Sequence, residues 1–557
     1  MEERRVMAQH VEISFDGEVP IPPNVRPVIV LQGSDFDMGY QYYQQLVQIF
    51  GSWIVELVAR KEYTNEEIRS HRDTEGHIEK CAPELIDMFK GMADGATAAG
   101  VHLPYEQVLA HFTEQRERGI PPQIEGSLGC SGFAAWGSAT PDGRFVGGGC
   151  TDHWLTFEIT LLAFPETGNP FICSPFRPTE FGNTGCHPGM NNRGLAYVHH
   201  GATQWIQHKP KEQWVSGIPS GIANMHTLRF ANNAIEAKEM QLAYPSRDGY
   251  AGGFWADVHG HACVIEGRET PRAIRQAGDY GETDFLYSTN NALCKELGHC
   301  QDPPPQGNVY VPHGGWLGTG NTINSVLRNL GLWNMLHYYH GKIDVDFAKM
   351  VWRFPGNPPL YPTLEEADAA FYVTQGEGWD TKACHLKNAM VGVIVPDDGD
   401  KGLYYVSNGC AARVAYPQSP TGHYYRVAPT TSFYQLKLAS NVKEVIRAAK
   451  SRAQYELYYA NQELRKLNYS DAGYAPLDEL FNQAVMAWNK GHYYFQGVES
   501  LVLGFKPRED ATLYEMGKAL RAFTRCQALA KQVYQALVPP PTSPEDLGLR
   551  PWGYWKK

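Results

Sequence analysis

An α+β chain is predicted, on three observations. Up to Gly100, apolar residues recur at helical spacing. From Gly129 the texture changes to short apolar or alternating runs punctuated by Gly, Pro, Asn and Asp, the mark of strands and turns. After about Thr431 the helical pattern returns.

Bulk properties narrow the function classes. Hydrophobic residues make up 43% of the 557 and charged residues 20%, so a packed globular core is expected. The length suits one large domain plus an extension, or two to three domains. A formal net charge of −11 argues against a nucleic-acid binder, because neutralising phosphates needs a basic face. No hydrophobic stretch follows Met1-Glu2-Glu3-Arg4-Arg5, so no secretory signal is expected. No apolar run approaches the roughly 20 residues of a spanning helix, so no membrane role is expected. The 11 cysteines are scattered and odd in number, which reads as reduced thiols in a cytoplasmic protein.

The elements follow in order. Residues 26–32 (RPVIVLQ) form a β-branched strand ending at Gly33. Ser34 and Asp37 make a capping-box pattern, and a helix runs on to about residue 61 with Tyr43, Leu46, Ile49, Phe50 and Trp53 at helical spacing. Residues 66–100 read as more helix. Strands are expected at 130–135, 144–149, 157–164, 195–199, 253–266 and 285–289, in an antiparallel meander. Asp142-Gly143 marks one hairpin, and residues 390–395 and 402–407 form another across Asp397-Asp398-Gly399-Asp400. Helices are expected at 225–242 and 323–340. The C-terminal region holds three more, at 441–467 with Asn441 and Glu444 as cap, from Pro476, and at 510–538, where Pro539-Pro540-Pro541 stops the last. Leu513, Met516, Leu520, Phe523 and Leu529 form one stripe on that helix, read as packing surface rather than a membrane or partner face.

Two motifs are set aside. His259-Gly260-His261-Ala262-Cys263 places alternating ligand types on one face if it is a strand, but an ordinary strand is the preferred reading, so no metal is expected. Residues 314–320 are glycine-rich without a dinucleotide fingerprint and read as a loop near the site, so no cofactor is expected.

The informative segment runs from Gly129-Cys130-Ser131 through the Asp142-Gly143 turn to Cys150-Thr151-Asp152. It sets a cysteine at the start of one strand and an aspartate at the end of its hairpin partner, so Asp152 can approach Cys130. A buried structural cysteine gives the same local pattern. Further stretches lie in a characteristic order: residues 33–44, 84–95 and 137–144, Gly189-Met190-Asn191-Asn192-Arg193-Gly194, Thr289-Asn290-Asn291, and Ser325-Val326-Leu327-Arg328. Over roughly residues 25–430 the chain resembles the acyl-coenzyme A:6-aminopenicillanic acid acyltransferase family and related β-alanyl-amine hydrolases, which are cysteine N-terminal-nucleophile (Ntn) enzymes.

That resemblance implies a four-layer αββα sandwich, with an α-rich segment at 1–129 and the core at 130–430; the helical extension at 431–557 is read from its periodicity and has no counterpart in the resemblance. It implies self-cleavage between Gly129 and Cys130, giving an α/β heterodimer open to further homo-oligomerisation. The freed α-amine, with a pKa of roughly 7.7–8.0, takes the thiol proton of Cys130, so no separate histidine is needed. By the same resemblance Asp152 bonds that amine, Asn290 stabilises the oxyanion and Arg328 sits at the nucleophile. Read without it, Asp152 and Asn290 are turn residues and Arg328 a helix-surface arginine, and Asn291 competes with Asn290 for the match. The chain departs from the pattern at Cys150, where the family has asparagine. The expected activity is hydrolysis of a small-molecule amide or N-acyl substrate. Acyl transfer to an amine, and a non-catalytic binding or scaffold role, are the alternatives. His153 is the first base to consider if the amine is not made.

Overall fold

The computed structural model describes residues 27–59, 62–113, 129–152, 159–175, 187–199, 217–245, 253–267, 272–300, 309–317, 322–352, 390–407, 433–499 and 513–538. His153 and Gly318–Gly320, read from the sequence, lie outside them.

The N-terminal portion is one strand and a helical layer. Strand β1 (Val28–Gly33) leads into α1 (Asp35–Phe50) through the expected box: Ser34 Oγ accepts from Asp37 N at 3.2 Å and Asp37 Oδ2 accepts from Ser34 N at 3.2 Å. The helix does not continue to residue 61. It stops at Gly51, and α2 (Trp53–Ala59) starts anew. The pattern at 66–100 is likewise two helices, α3 (Asn65–Cys81) and α4 (Glu84–Ala98), divided at Pro83, whose missing N–H cannot continue a helix. Helix α5 (Tyr105–Thr113) closes the layer. Helices α1 and α4 touch backbone to backbone: a Cβ on Gly39 would stand 1.9 Å from Met88 O, and one on Gly91 2.0 Å from Phe36 O. Only glycine fits at such a crossing.

Two large sheets follow. The remaining strands are β2 (Gly129–Gly137), β3 (Gly143–Asp152), β4 (Thr160–Pro165), β5 (Phe171–Cys173), β6 (Gly189–Asn191), β7 (Leu195–His199), β8 (Gly253–Asp257), β9 (Ala262–Gly267), β10 (Arg272–Gln276), β11 (Phe285–Ser288), β12 (Val309–Val311), β13 (Gly315–Leu317), β14 (Met390–Val395), β15 (Leu403–Ser407) and β16 (Phe433–Lys437). One sheet has the order β1-β4-β5-β6-β7-β8-β9-β10 and the other β11-β2-β3-β14-β15-β16; β12 and β13 pair alone. The chain is not a plain meander. Strand β1 pairs parallel to β4, with Val28 opposite Thr160, and the second sheet is assembled from four separate stretches of sequence. The run read as one strand at 253–266 is a hairpin, β8 and β9. His259 and Gly260 form its turn, and Asp257 Oδ1 accepts from His259 N at 2.9 Å and His261 N at 3.1 Å. The alternation that would have aligned His259, His261 and Cys263 therefore does not exist. Burial pushes the Cys263 thiol up to about 12. Among the described residues no group of three His, Cys, Asp or Glu side chains is placed to hold a metal ion.

Strand alternation sorts the core. Ile29, Leu31, Leu161, Ala163, Tyr197 and Trp255 face a cluster with α1 to α5 and with α6 (Ser220–Phe230) and α7 (Ala234–Ala243). These last two were read as one helix at 225–242; they part at Ala231, and the Asn233 side chain caps α7 by accepting from Glu236 N at 2.9 Å. Val28, Val30, Leu162, Ala196, Phe254, Val264 of the first sheet share a second cluster with Ala134, Leu286, Ile394, Tyr404 and Tyr434 of the other. Phe133, Ala135, Val146, Tyr287 and Val393 face a third with α8 (Thr322–Tyr338) and α9 (Val345–Val351).

The C-terminal helices are α10 (Val442–Leu464), α11 (Tyr474–Glu499) and α12 (Leu513–Leu537). Asn441 caps α10, accepting from Glu444 N at 3.1 Å. On α12, Leu520, Phe523 and Leu529 are fully buried, as packing surface requires. Strand β16 has no counterpart in the sequence reading, which turns helical there. Among the described residues no helix is long and apolar enough to cross a membrane.

Candidate active site

The hairpin forms as read. Strands β2 and β3 pair antiparallel, with Gly129 opposite Asp152, Cys130 opposite Thr151 and Ser131 opposite Cys150. Its far end is fastened by Asp284, whose Oδ2 accepts from Ser138 N at 2.8 Å and Ser138 Oγ at 2.6 Å. Those bonds hold the Asp284 carboxyl below its usual range. Asp152 thus ends β3 beside the proposed nucleophile; its side chain lies outside what the structure describes.

Strand β11 covers the other edge of β2, with Ser288 opposite Gly132. Continuing that register carries Thr289 and Asn290 alongside Ser131 and Cys130. Asn290 Oδ1 accepts from Cys130 N at 2.9 Å. Helix α8 supplies the third side. Arg328 Nη1 donates to Cys130 O at 2.6 Å and to Ser131 Oγ at 2.6 Å, and its Nη2 donates to Asn290 Oδ1 at 2.8 Å. Cys130, Asn290 and Arg328 are 3%, 1% and 7% exposed. Three residues separated by up to 198 positions therefore meet around one peptide unit. Arg328 is not a surface arginine.

The two asparagines divide their tasks. Asn291 is spent on the framework: its Nδ2 donates to Gly314 O at 2.8 Å and Trp316 O at 3.2 Å, and its Oδ1 accepts from Ser325 Oγ at 2.6 Å and Asn329 Nδ2 at 3.0 Å. Asn290 faces Cys130, and its buried Nδ2 donor has no hydrogen-bond partner among the described residues. Buried amide donors are rarely left so, because the lost bond costs roughly 1–3 kcal/mol. Ser325 Oγ accepts from both Asn290 N and Asn291 N, each at 2.9 Å. It ties this turn to the helix that carries Arg328.

By the pleat, Ser131 and Cys150 share the face turned to α8, and Cys130 takes the opposite face with Gly132 and Gly149. Cys150 packs among Phe133, Val146 and Tyr287. That setting is an apolar core, where a thiol is at home. The sequence reading missed His187, whose Nε2 lies 3.2 Å from Cys150 O. A Cβ on Gly149 would stand 2.3 Å from His187 Cε1 and 2.3 Å from Val198 O, so glycine is what lets the first sheet approach the hairpin here. The run Gly147-Gly148-Gly149 was the available signal.

A buried ion network, also missed, grips the Asn290 segment at both ends. Arg275 on β10 donates from Nε to Glu266 Oε1 on β9 at 3.1 Å, from Nη1 to Glu282 Oε1 at 2.9 Å, and from Nη2 to Tyr287 O. Glu266 Oε2 accepts from Leu293 N at 2.9 Å and Cys294 N at 2.7 Å. Arg275 and Glu266 are fully buried. Burial works against the Arg275 charge, but Glu266 and Glu282 outweigh it and raise its pKa further.

No protein-family model and no curated protein matches the chain. Among solved structures it is similar to a mutant of conjugated bile acid hydrolase from Clostridium perfringens, with a TM-score of 0.28 and 12% identity over 50% of this chain and 88% of that one. Penicillin V acylase from Agrobacterium tumefaciens gives a TM-score of 0.27 and 10% identity over 56% and 79%. At these values the likeness says nothing about activity.

Proposed function

We propose that this chain is a self-processed cysteine amidohydrolase of the N-terminal-nucleophile kind, with Cys130 as nucleophile. One observation carries the reading. Asn290 Oδ1 accepts from Cys130 N, and the buried Nδ2 of the same side chain has no hydrogen-bond partner among the described residues. A neutral, preorganised donor at that place suits the oxyanion of an acyl-transfer step.

In this reading the Cys130 thiol first attacks Gly129 C=O, and water opens the resulting thioester, leaving a new α-amine on Cys130. That amine accepts the thiol proton. The thiolate adds to the substrate carbonyl, whose oxygen takes the hydrogen bond from Asn290 Nδ2. The tetrahedral adduct collapses, and the protonated α-amine returns its proton to the departing nitrogen. Water then hydrolyses the acyl-enzyme. Arg328 anchors Cys130 O, and its fixed positive charge also favours thiolate. Asp152, across from Gly129, holds the new amine once the chain is cut.

The same reading takes the three core clusters as the interfaces of an αββα sandwich, with 1–129 as the first product of cleavage, 130–430 as the core and 431–557 as an added helical region. Cytoplasmic location follows from the reduced thiols, and the substrate is a small amide or N-acyl compound. Hydrolysis is preferred to acyl transfer, since water needs no acceptor site. A test is Cys130→Ala against Cys150→Ala over a panel of amides followed by mass spectrometry. The first should be inactive and the second should retain turnover; full activity in Cys130→Ala refutes the proposal.

A further inference from the structure

Strands β12 and β13 form a two-stranded ribbon that joins neither large sheet. Such a ribbon is marginally stable alone in water, so its order comes from what it docks on. Its tip meets both the Asn290 turn and helix α8. Gly314 O accepts from Asn291 Nδ2 at 2.8 Å and from Asn329 Nδ2 at 3.2 Å. A Cβ on Gly314 would stand 2.7 Å from Val326 Cγ1, and one on Gly315 2.4 Å from Ala292 O. Trp316 fastens the base, its N donating to Ala292 O at 3.0 Å and its Nε1 to Cys294 O at 2.8 Å. Val326 and Asn329 belong to the same helical turn as Arg328, which reaches Cys130 O, and follow Ser325, which holds Asn290 N.

His313 sits at that tip with φ +58; among the described residues only it and Asp284 take positive φ without being glycine. Glycine takes that backbone freely, so the ring has a use of its own. It lies flat on the Trp333 indole of α8, with centroids 3.8 Å apart and planes 5° from parallel. His337, one turn further along α8, stacks on the same indole at 5.4 Å. Tyr287 OH donates to His313 O at 3.0 Å and fixes the backbone beneath the ring.

The titratable groups around the ring are Glu282 ahead of β11, Tyr287 on β11 and His337 on α8. Glu282 is already bonded to Arg275 of β10. His313 Nδ1 is buried and has no hydrogen-bond partner among the described residues. An imidazolium carries a donor on both nitrogens, so protonation would bury a charged N–H without an acceptor. Burial accordingly holds the His313 imidazole below its ordinary value; Glu282 pulls the other way, and His337 adds to the effect of burial.

We propose that neutral His313 is a positioning residue: its stack on Trp333 clasps the ribbon to α8 and so holds Ser325 and Arg328 against the Asn290 turn, and its protonation opens the clasp. The clasp follows from the packing alone; its effect on turnover rests on the reading of Cys130 as nucleophile. Because the docked ring binds a proton less readily than a released one, docking is complete above the ordinary histidine value of about 6.5. It is lost as pH falls from there through the lower docked value.

The test is amide hydrogen exchange of residues 309–317 in the full-length protein, each rate divided by that of the unstructured sequence at the same pH. The rate of Cys130 acylation by an activated acyl ester is measured alongside. His313→Asn tolerates the backbone but has no ring. It should quicken exchange of the ribbon at least about tenfold, and slow acylation at least about tenfold without raising the ester concentration needed for half-saturation. His313→Phe keeps a flat ring that cannot titrate, and should restore both. Lowering the pH from about 7.5 to about 5.5, where histidine titrates, should quicken ribbon exchange in wild type and not in His313→Phe. Should the phenylalanine fail to fold at positive φ, Trp333→Leu takes its place; it should match His313→Asn and show no such pH dependence. Wild-type exchange or wild-type acylation in His313→Asn overturns the proposal, as does an unchanged pH dependence in the variant without the titrating stack. If the ribbon loosens as described while wild type is not acylated at Cys130, the nucleophile assignment fails and the clasp stands.

Discussion

Glu266→Gln separates the support of the Asn290 segment from its chemistry. The carboxylate uses both oxygens, one on Arg275 Nε and the other on Leu293 N and Cys294 N. A glutamine keeps one acceptor oxygen and turns an NH2 donor either toward the guanidinium or toward the two backbone donors. Removing one partner of a buried ion pair typically costs about 3–5 kcal/mol, a large part of the roughly 5–15 kcal/mol that holds a protein folded. A displacement of the Asn290 turn of about 1 Å is enough to slow a reaction about 10²-fold. Glu266→Gln should therefore lose stability of that order in urea unfolding, and lose turnover number far more than KM in an amide-hydrolysis assay. Glu282→Gln is the control. It also holds Arg275, at 2.9 Å, but its other oxygen bonds Tyr280 N, away from residues 293 and 294. It should cost comparable stability while keeping most of the turnover. If both variants lose turnover equally, or Glu266→Gln keeps the wild-type rate, the network does not position Asn290.

Asn290→Ala should slow acylation by roughly 10²–10³ with the fold intact. Asn291→Ala, which strips bonds from Gly314 O and Trp316 O, should instead lower the melting temperature; the reverse assignment of effects would contradict the division drawn between them. Asp284→Asn should destabilise the protein at neutral pH, because its carboxyl is held below the ordinary value by Ser138. That contribution is complete above the unfolded pKa of about 3.9 and fades as pH falls through the lower folded value. Thermal unfolding of wild type and Asp284→Asn should thus converge at acid pH, and a difference that persists there refutes the cause. Ser325→Ala should lower turnover more than it raises KM, since its hydroxyl holds the turn rather than touching substrate.

Local patterns were legible and long-range ones were not. The Ser34 box, the Asn441 cap and the Asp142-Gly143 hairpin are short-range chemistry, and each forms as its residues dictate. Pro83 marked a helix boundary that apolar periodicity overran. The parallel pairing of β1 with β4 spans more than a hundred residues and leaves no local trace. Placement of Asn290 and Arg328 beside Cys130 came from resemblance, not from spacing, because only the register of β11 on β2 and the docking of α8 bring them there. Glu266, Arg275 and Glu282 have no motif at all; isolated charges in a sequence carry no sign that they will be buried together. The Gly147-Gly148-Gly149 run signals a close approach at the hairpin, but not that His187 makes it.

The most direct measurement is the identity of the acylated residue. The purified protein is treated with an activated acyl ester, quenched in acid, digested and read by peptide mass spectrometry, with intact masses taken beforehand. The account predicts two fragments of roughly 14 kDa and roughly 47 kDa, at about 110 Da per residue, and a peptide that begins at Cys130 with a single acyl group on its sulfur. A fully active protein with the Gly129–Cys130 bond intact, or an acyl group on any other residue, would contradict it.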